Sequence, residues 1–177
     1  MYNELATIEL AKKGDSVAFQ QLLEKHYSMM YRVAYRFTGQ AQDAEDIAQE
    51  VCVGLVGKLQ GFNGKSSFST WLYRVVVNTC RDFHKKVSTH RTLDKCYIEL
   101  EKNELSDKHD SNKKIAWLYR NIANLEQSLK ETALLVLAEE LSHAEAGNIL
   151  GCAESTISWR MSEVRKHLKN AMGSYHE

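Results

Sequence analysis

At 177 residues the chain is long enough for one medium domain or two small ones. It is 44% hydrophobic and 26% charged, with no proline and nine glycines; this excludes a disordered chain and disfavours sheets, whose turns need that chemistry. The formal net charge is zero, so a nucleic-acid partner would have to be met by local patches rather than by the whole chain.

Asn3 can cap a short first helix that ends near Gly14. Asp15 can cap a second, whose apolar positions run Phe19, Leu22, Leu23, Tyr27, Met30, Ala34 and Phe37 before Gly39 stops it. The next helix is expected from about Gln42 to Lys58. Ala44, Ile47, Ala48, Val51 and Leu55 form its inner stripe, and Asp46, Gln49, Glu50 and Val53 share another face. Asp43, Glu45 and Asp46 suit the first turn, where the helix dipole favours carboxylates. Glu50 has no such reason, and the row meets no basic residue until Lys58, so it reads as an acidic face suited to a basic surface.

The loop GFNGKSSF, Gly61 to Phe68, offers Asn63, Lys65 and serines as hydrogen-bonding groups. It lacks the spacing of a phosphate-binding P-loop. Behind it lies an amphipathic helix, Ser66 to Lys86, capped by Ser66 or Ser67. Leu72, Val75, Val76, Thr79 and Phe83 form its apolar stripe, while Arg74, Asn78, Arg81 and Lys85 form a basic face. Phe68 and Trp71 stand at its entrance. Cations beside aromatic rings are what unpaired nucleic acid requires, because cations track phosphates and rings stack on bases.

From Val87 to about Asn112 periodicity is lost, and the segment reads as a flexible linker. His84, His90 and Cys96 are too loosely spaced for a metal. Periodicity returns from Lys113. Ile115, Leu118, Ile122 and Leu125 mark one helix; Leu129, Ala133, Val136, Leu137 and Leu141 mark another. Ser142 to Glu145 is a capping box, Gly151 to Ala153 a short turn, and a final helix carries Ile157, Met161, Val164 and Leu168. Gly147, mid-helix, implies a close helix crossing. This is helix-turn-helix patterning. The fold class expected is all-α: two small helical domains, 1–87 and 113–177, joined by a flexible linker, 88–112, the second a helix-turn-helix domain.

These motifs together resemble the sigma-seventy family of bacterial RNA polymerase sigma factors, most closely its small extracytoplasmic-function type. GDSVAF at Gly14 to Phe19, DAEDIAQEV at Asp43 to Val51 and SSFSTWLYRVVVN at Ser66 to Asn78 are similar to the family's second conserved region. Glu140 to Leu168 is similar to its fourth. The resemblance implies that Asp46, Gln49 and Glu50 dock on the clamp helices of the largest core polymerase subunit. Other contacts are implied to the flap of the second-largest subunit. It implies that Phe62, Asn63, Lys65, Ser66, Trp71, Arg74, Asn78, Arg81 and Lys85 recognise and open the minus-ten element. Ser155, Thr156, Ser158, Trp159, Arg160, Arg165, Lys166 and Lys169 would meet the minus-thirty-five element. Partners are then core RNA polymerase and promoter DNA, and the resemblance allows an anti-sigma factor.

The departures are Leu125-Glu126 for a leucine-proline pair, Val77 for a basic residue, Ser158-Trp159 for Lys-Ser, and Glu163 for another basic residue. They bear on the upstream element and leave the fold expectation intact. No further carboxy-terminal domain is expected beyond the tail after Lys169.

The alternative is a stand-alone helix-turn-helix regulator, which leaves the acidic face and aromatic loop without a task. An enzyme is disfavoured, since no nucleophile triad, carboxylate pair or metal spacing stands out, and no cofactor or metal is expected. With no secretory signal or membrane-spanning run evident, and four separated cysteines (Cys52, Cys80, Cys96, Cys152), the expected location is cytoplasmic.

Overall fold

The computed structural model describes residues 3–86 and 109–173, and every regular element among them is helical. They group into two compact units, 3–36 with 41–86, and 109–173 with 37–40. In the first, Asn3 Oδ1 accepts from the Ala6 amide at 3.3 Å and caps α1, Glu4–Lys12. Gly14 turns the chain at φ 90°, and Asp15 Oδ1 accepts from the Ala18 amide at 2.9 Å to start α2, Ser16–Thr38. Gly39, at φ 75°, separates α2 from α3, Ala41–Lys58. A 3-10 turn, Leu59–Gly61, leads into the loop before α4, Phe68–Lys86.

The stripe of α3 is as expected, with Ala44, Ile47, Ala48, Val51 and Leu55 buried. Two other stripes shift. On α2 the central line is Leu22, His26 and Met30 at steps of four, so Phe19 and Leu23 flank it half-buried and Tyr27 is exposed. His26 takes the core place expected of Tyr27. On α4 Tyr73, Val77 and Cys80 are buried along with Leu72, Val76 and Thr79, while Val75 and Phe83 are only half-buried. The buried arc is wider than the stripe expected, and Val77 belongs to it rather than to the basic face.

In the second unit α5 spans His109–Ala123, so His109 to Asn112, expected in the linker, are helical. Residues 87–108, the rest of that expected linker, lie outside the described residues. Helix α6, Gln127–Ala133, runs into a π turn over Leu134–Ala138. The turn overturns the expected stripe. Leu129, Ala133, Leu134 and Leu135 are buried, Val136 is half-buried and Leu137 is exposed. A π turn holds more residues than an α turn, so each later side chain lags behind the 3.6-residue phase. The Glu139 amide donating to the Leu134 carbonyl at 3.0 Å closes this wider loop. Glu140 then takes φ 56°, an unusual left-handed conformation for a residue with a side chain.

Helix α7, His143–Leu150, begins at the expected capping box. The Glu145 amide donates to Ser142 Oγ at 3.2 Å, and the Ser142 amide donates to Glu145 Oε2 at 2.9 Å. The Ser142 hydroxyl and amide together hold the Glu145 carboxyl below its ordinary pKa. Gly151, left-handed at φ 71°, ends α7, and α8 follows over Glu154–Gly173. Ala146, Ile149, Ile157, Met161 and Val164 form the core of this pair.

The space around Gly147 is closed by the turn rather than by a helix crossing. A Cβ there would lie 2.8 Å from the Cys152 carbonyl oxygen, which is backbone and cannot swing aside. Gly147→Ala is therefore expected to destabilise the second unit by about 1–3 kcal/mol, the usual range for overpacking, although alanine is the better helix former by about 1 kcal/mol. Thermal unfolding measures it; a raised midpoint would mean that the turn yields.

Candidate nucleic-acid interface

The entrance of α4 is built by a serine cap and three rings. The Thr70 amide donates to Ser67 Oγ at 3.0 Å, which selects Ser67 over Ser66 as the cap. Phe68 and Trp71 then leave the first turn of α4 together, stacked with centroids 5.6 Å apart. Phe62 meets Phe68 edge-on at 5.4 Å and Trp71 at 5.6 Å. His26 of α2 closes the cluster edge-on to Phe68 at 5.1 Å.

Phe62, which the resemblance implied among the residues that meet the minus-ten element, is 4% exposed and is a packed support of the cluster. Trp71 is half-buried. It lines an open cleft of about 320 Å³ with Lys58, Gly61, Arg74, Val75 and Asn78. Trp71, Arg74 and Asn78 were legible as a group because they recur on one helix. Lys58 and Gly61 were missed, since they come from the end of α3 and its 3-10 turn. Only the cationic end of α3 hinted at Lys58.

Elsewhere on α4, Arg81 Nη1 donates to Asn78 Oδ1 at 3.3 Å. Lys85 pairs loosely with Asp82 at 3.4 Å, an exposed contact worth little to stability. In the loop, Asn63 and Lys65 are exposed and Ser66 is half-buried. The Lys65 amide donates to Asn63 Oδ1 at 3.2 Å, and Gly64 takes φ 72°. The cleft therefore joins a ring, cations and an amide, which suits an unstacked base and its phosphates.

On α3, Asp46, Gln49 and Glu50 are exposed beside Val53, which is 78% exposed. Asp43, counted with the acidic residues of this helix from the sequence, is buried and leaves that face. The row is thus a short acidic patch with an apolar neighbour.

On α8, Ser155, Ser158, Trp159, Arg165, Lys166 and Lys169 are exposed, and Thr156 and Arg160 are half-buried. Trp159, at 62% exposure, is not a core residue. Ser158 Oγ lies 2.9 Å from His143 Nδ1, a bridge from α7 to α8 that the sequence did not suggest. Arg160 Nη1 lies 3.9 Å from Cys152 Sγ. Lys166 and Glu163 are 3.9 Å apart, so the acidic departure partly screens one cation. A helix-turn-helix presenting serines, a tryptophan and cations along its second helix can meet a major groove. No described residues cluster as metal ligands, and no described helix is long and apolar enough to cross a membrane.

A helical protein with a helix-turn-helix unit and a separate aromatic-basic cleft fits the DNA-binding subunits of transcription machinery. The sequence profile of sigma-70 region 2 matches residues 22–89. The RNA polymerase sigma-H factor of Pseudomonas aeruginosa is 27% identical, aligned over 93% of this chain and 91% of its own length. ECF RNA polymerase sigma factor SigW of Bacillus subtilis is 27% identical over 93% and 94%, and the ECF sigma-E factor of Escherichia coli 28% over 92% and 91%. The chain is thus similar to sigma-70 region 2 over residues 22–89 and, along nearly its whole length, to RNA polymerase sigma factors, among them ones of the extracytoplasmic-function type. Two solved structures share the fold at 19% identity. CnrH, in complex with the cytosolic domain of CnrY, superposes with a TM-score of 0.69, covering 96% of each chain. RpoE of Bartonella quintana, in complex with the anti-sigma factor NepR, gives 0.64, covering 88% of this chain and 96% of its own.

The cluster also carries a titratable group. Burial is the largest influence on His26 and depresses its pKa, against the opposing pull of Glu4. Glu4 is raised by burial, but hydrogen bonds from Lys25 and His26 prevail and leave it lowered. At neutral pH the ring is therefore uncharged, and its Nε2–H donates to the Glu4 carboxylate at 3.0 Å. A depressed pKa contributes stability that is present above the unfolded value and lost as pH falls through the folded one. The first unit should thus weaken as pH drops below about 6.5, the unfolded histidine value. Unfolding midpoints at neutral and mildly acid pH measure this; His26→Gln should show a smaller drop, and an equal drop would assign the effect elsewhere.

Proposed function

We propose that this protein is a dissociable specificity subunit of RNA polymerase that directs the core enzyme to promoters and helps open them. It is not itself a catalyst; the reaction belongs to the core enzyme, in the cytoplasm. The observation that carries the reading is the cleft where Trp71, Arg74 and Asn78 meet Lys58, in a chain similar to sigma factors along nearly its whole length. In this reading the unit of residues 1–87 docks on polymerase and opens the minus-ten element, and residues 113–177 hold the upstream element.

Opening a duplex means unstacking a base at a cost of a few kcal/mol. Trp71 supplies a ring on which such a base can stack, Asn78 an amide for its edge, and Arg74, Arg81 and Lys85 cations for phosphates. Asn63, Lys65 and Ser66 offer donors from the loop, and Phe62 supports Trp71 from beneath. Upstream, Ser155, Thr156, Ser158, Trp159 and Arg160 occupy the leading part of α8, where side chains reach base edges. Arg165, Lys166 and Lys169 neutralise phosphates. Asp46, Gln49 and Glu50 face the clamp helices of the largest subunit, with a further contact to the flap of the second-largest. An anti-sigma factor is a partner this reading admits, because the solved neighbour RpoE was captured with the anti-sigma factor NepR, and CnrH with the cytosolic domain of CnrY.

Adding the protein to core polymerase and sequencing the transcripts tests the reading; no new start sites would sink it. Replacing Asp46 and Glu50 by lysine should weaken core binding without unfolding, because both lie off the buried stripe. Undiminished affinity in a folded variant would remove the docking assignment. Asn78→Ala should slow initiation on a duplex promoter, and a template pre-opened by mismatches should recover much of the rate. Equal loss on both templates would move Asn78 from opening to docking.

A further inference from the structure

The carboxy-terminal turn of α1 is bolted to the loop that precedes α4. Lys12 Nζ donates to the Phe62 carbonyl at 2.8 Å and to Glu9 Oε1 at 2.8 Å. The same ammonium stands 5.6 Å from the centroid of the Phe62 ring. In return, Gln60 Nε2 donates to the Lys12 carbonyl at 2.7 Å. The bonds to the two carbonyls satisfy groups that regular structure leaves open, since Lys12 ends its helix and Phe62 lies outside one. The Lys12 side chain is only 16% exposed, an uncommon setting for a lysine. A half-buried ammonium loses part of its water, and here a carbonyl, a carboxylate and a ring replace it.

What Lys12 holds is the support of the cleft. Phe62 touches both Phe68 and Trp71, and Trp71 forms the cleft wall. Asn63, next in the chain, sets the loop turn through its bond from the Lys65 amide. A shift of the Phe62 backbone would therefore reach the wall and the loop together. An aliphatic side chain could fill the space, but only a cation with donors can grip both the carbonyl and the ring.

We propose that Lys12, aided by Gln60, is a positioning residue for promoter opening, clamping the Phe62 backbone so that Trp71 is held ready for an unpaired base. The inference rests on the functional reading above. Lys12 touches no DNA in it and acts through Phe62 and Trp71.

The test uses the full chain with core polymerase, on a duplex promoter and on the same promoter pre-opened by mismatches. Lys12→Met keeps the stem and removes the charge. It should slow open-complex formation on the duplex by about tenfold, the scale on which misplacing a group acts, and leave the pre-opened template and core affinity near wild type. Lys12→Arg, which retains the donors, should restore much of the duplex rate. Gln60→Leu, at an exposed position, should move the duplex rate in the same direction by less, and it decides the matter if Lys12→Met does not fold. Equal loss on both templates, or duplex rates unchanged in both variants, overturns the clamp. If the wild-type protein itself directs no transcript, the functional reading falls, and the clamp with it.

Discussion

Three rings in van der Waals contact hold the first unit in its working form. Phe62 comes from the loop, Phe68 and Trp71 from the first turn of α4. Edge-on and offset contacts of this kind contribute about 0.5–1.5 kcal/mol per pair beyond the area they bury. Their larger effect is on direction. A tryptophan in the first turn of a helix would otherwise sample several rotamers, and the two phenylalanines leave it few. His26 from α2 meets Phe68 and Lys12 from α1 lies over Phe62, so elements distant in sequence converge on one cluster of rings.

The second unit depends on an absence instead. With no side chain at Gly147, the turn can fold its own carbonyl against α7, and α8 leaves at the angle that turn dictates. Cap, glycine and left-handed Gly151 then act together. The capping box fixes where α7 starts, Gly151 fixes where it stops, and the polar leading side of α8 is left in solvent. The His143–Ser158 bridge adds a polar tie across the same corner.

Much of this was legible in the sequence because amphipathic helices write their buried face at fixed spacing. The caps at Asn3, Asp15 and Ser142, and the stops at Gly39 and Gly151, carry their own chemistry and read correctly, while the cap of α4 was left open between Ser66 and Ser67. What was not legible had one physical origin, namely contacts between residues far apart in the chain. His26 sits in the core because a carboxylate, Glu4, is on hand in another helix to accept a hydrogen bond from its Nε2–H. Lys12 looks like an ordinary last-turn cation until Phe62 is placed beneath it. Phe62 entered only through the resemblance, as a residue meeting the minus-ten element, and the packing of α4 makes it a support. Lys58 and Gly61 reach the cleft from a different helix and its turn, so no single periodicity could include them.

The π turn at Leu134–Ala138 has a further meaning. A helix accommodates one surplus residue this way, by widening a single turn instead of breaking. Each residue of an α-helix advances the chain by about 100° about the axis. A relative shorter by one residue here could close the turn as regular α-helix and bring Val136 and Leu137 round toward the core. Glu140, in its left-handed conformation, absorbs the remaining change of direction before Ser142. The stretch is thus a point of length tolerance, where the chain can gain or lose a residue while α7 keeps its own cap and α8 its register on it.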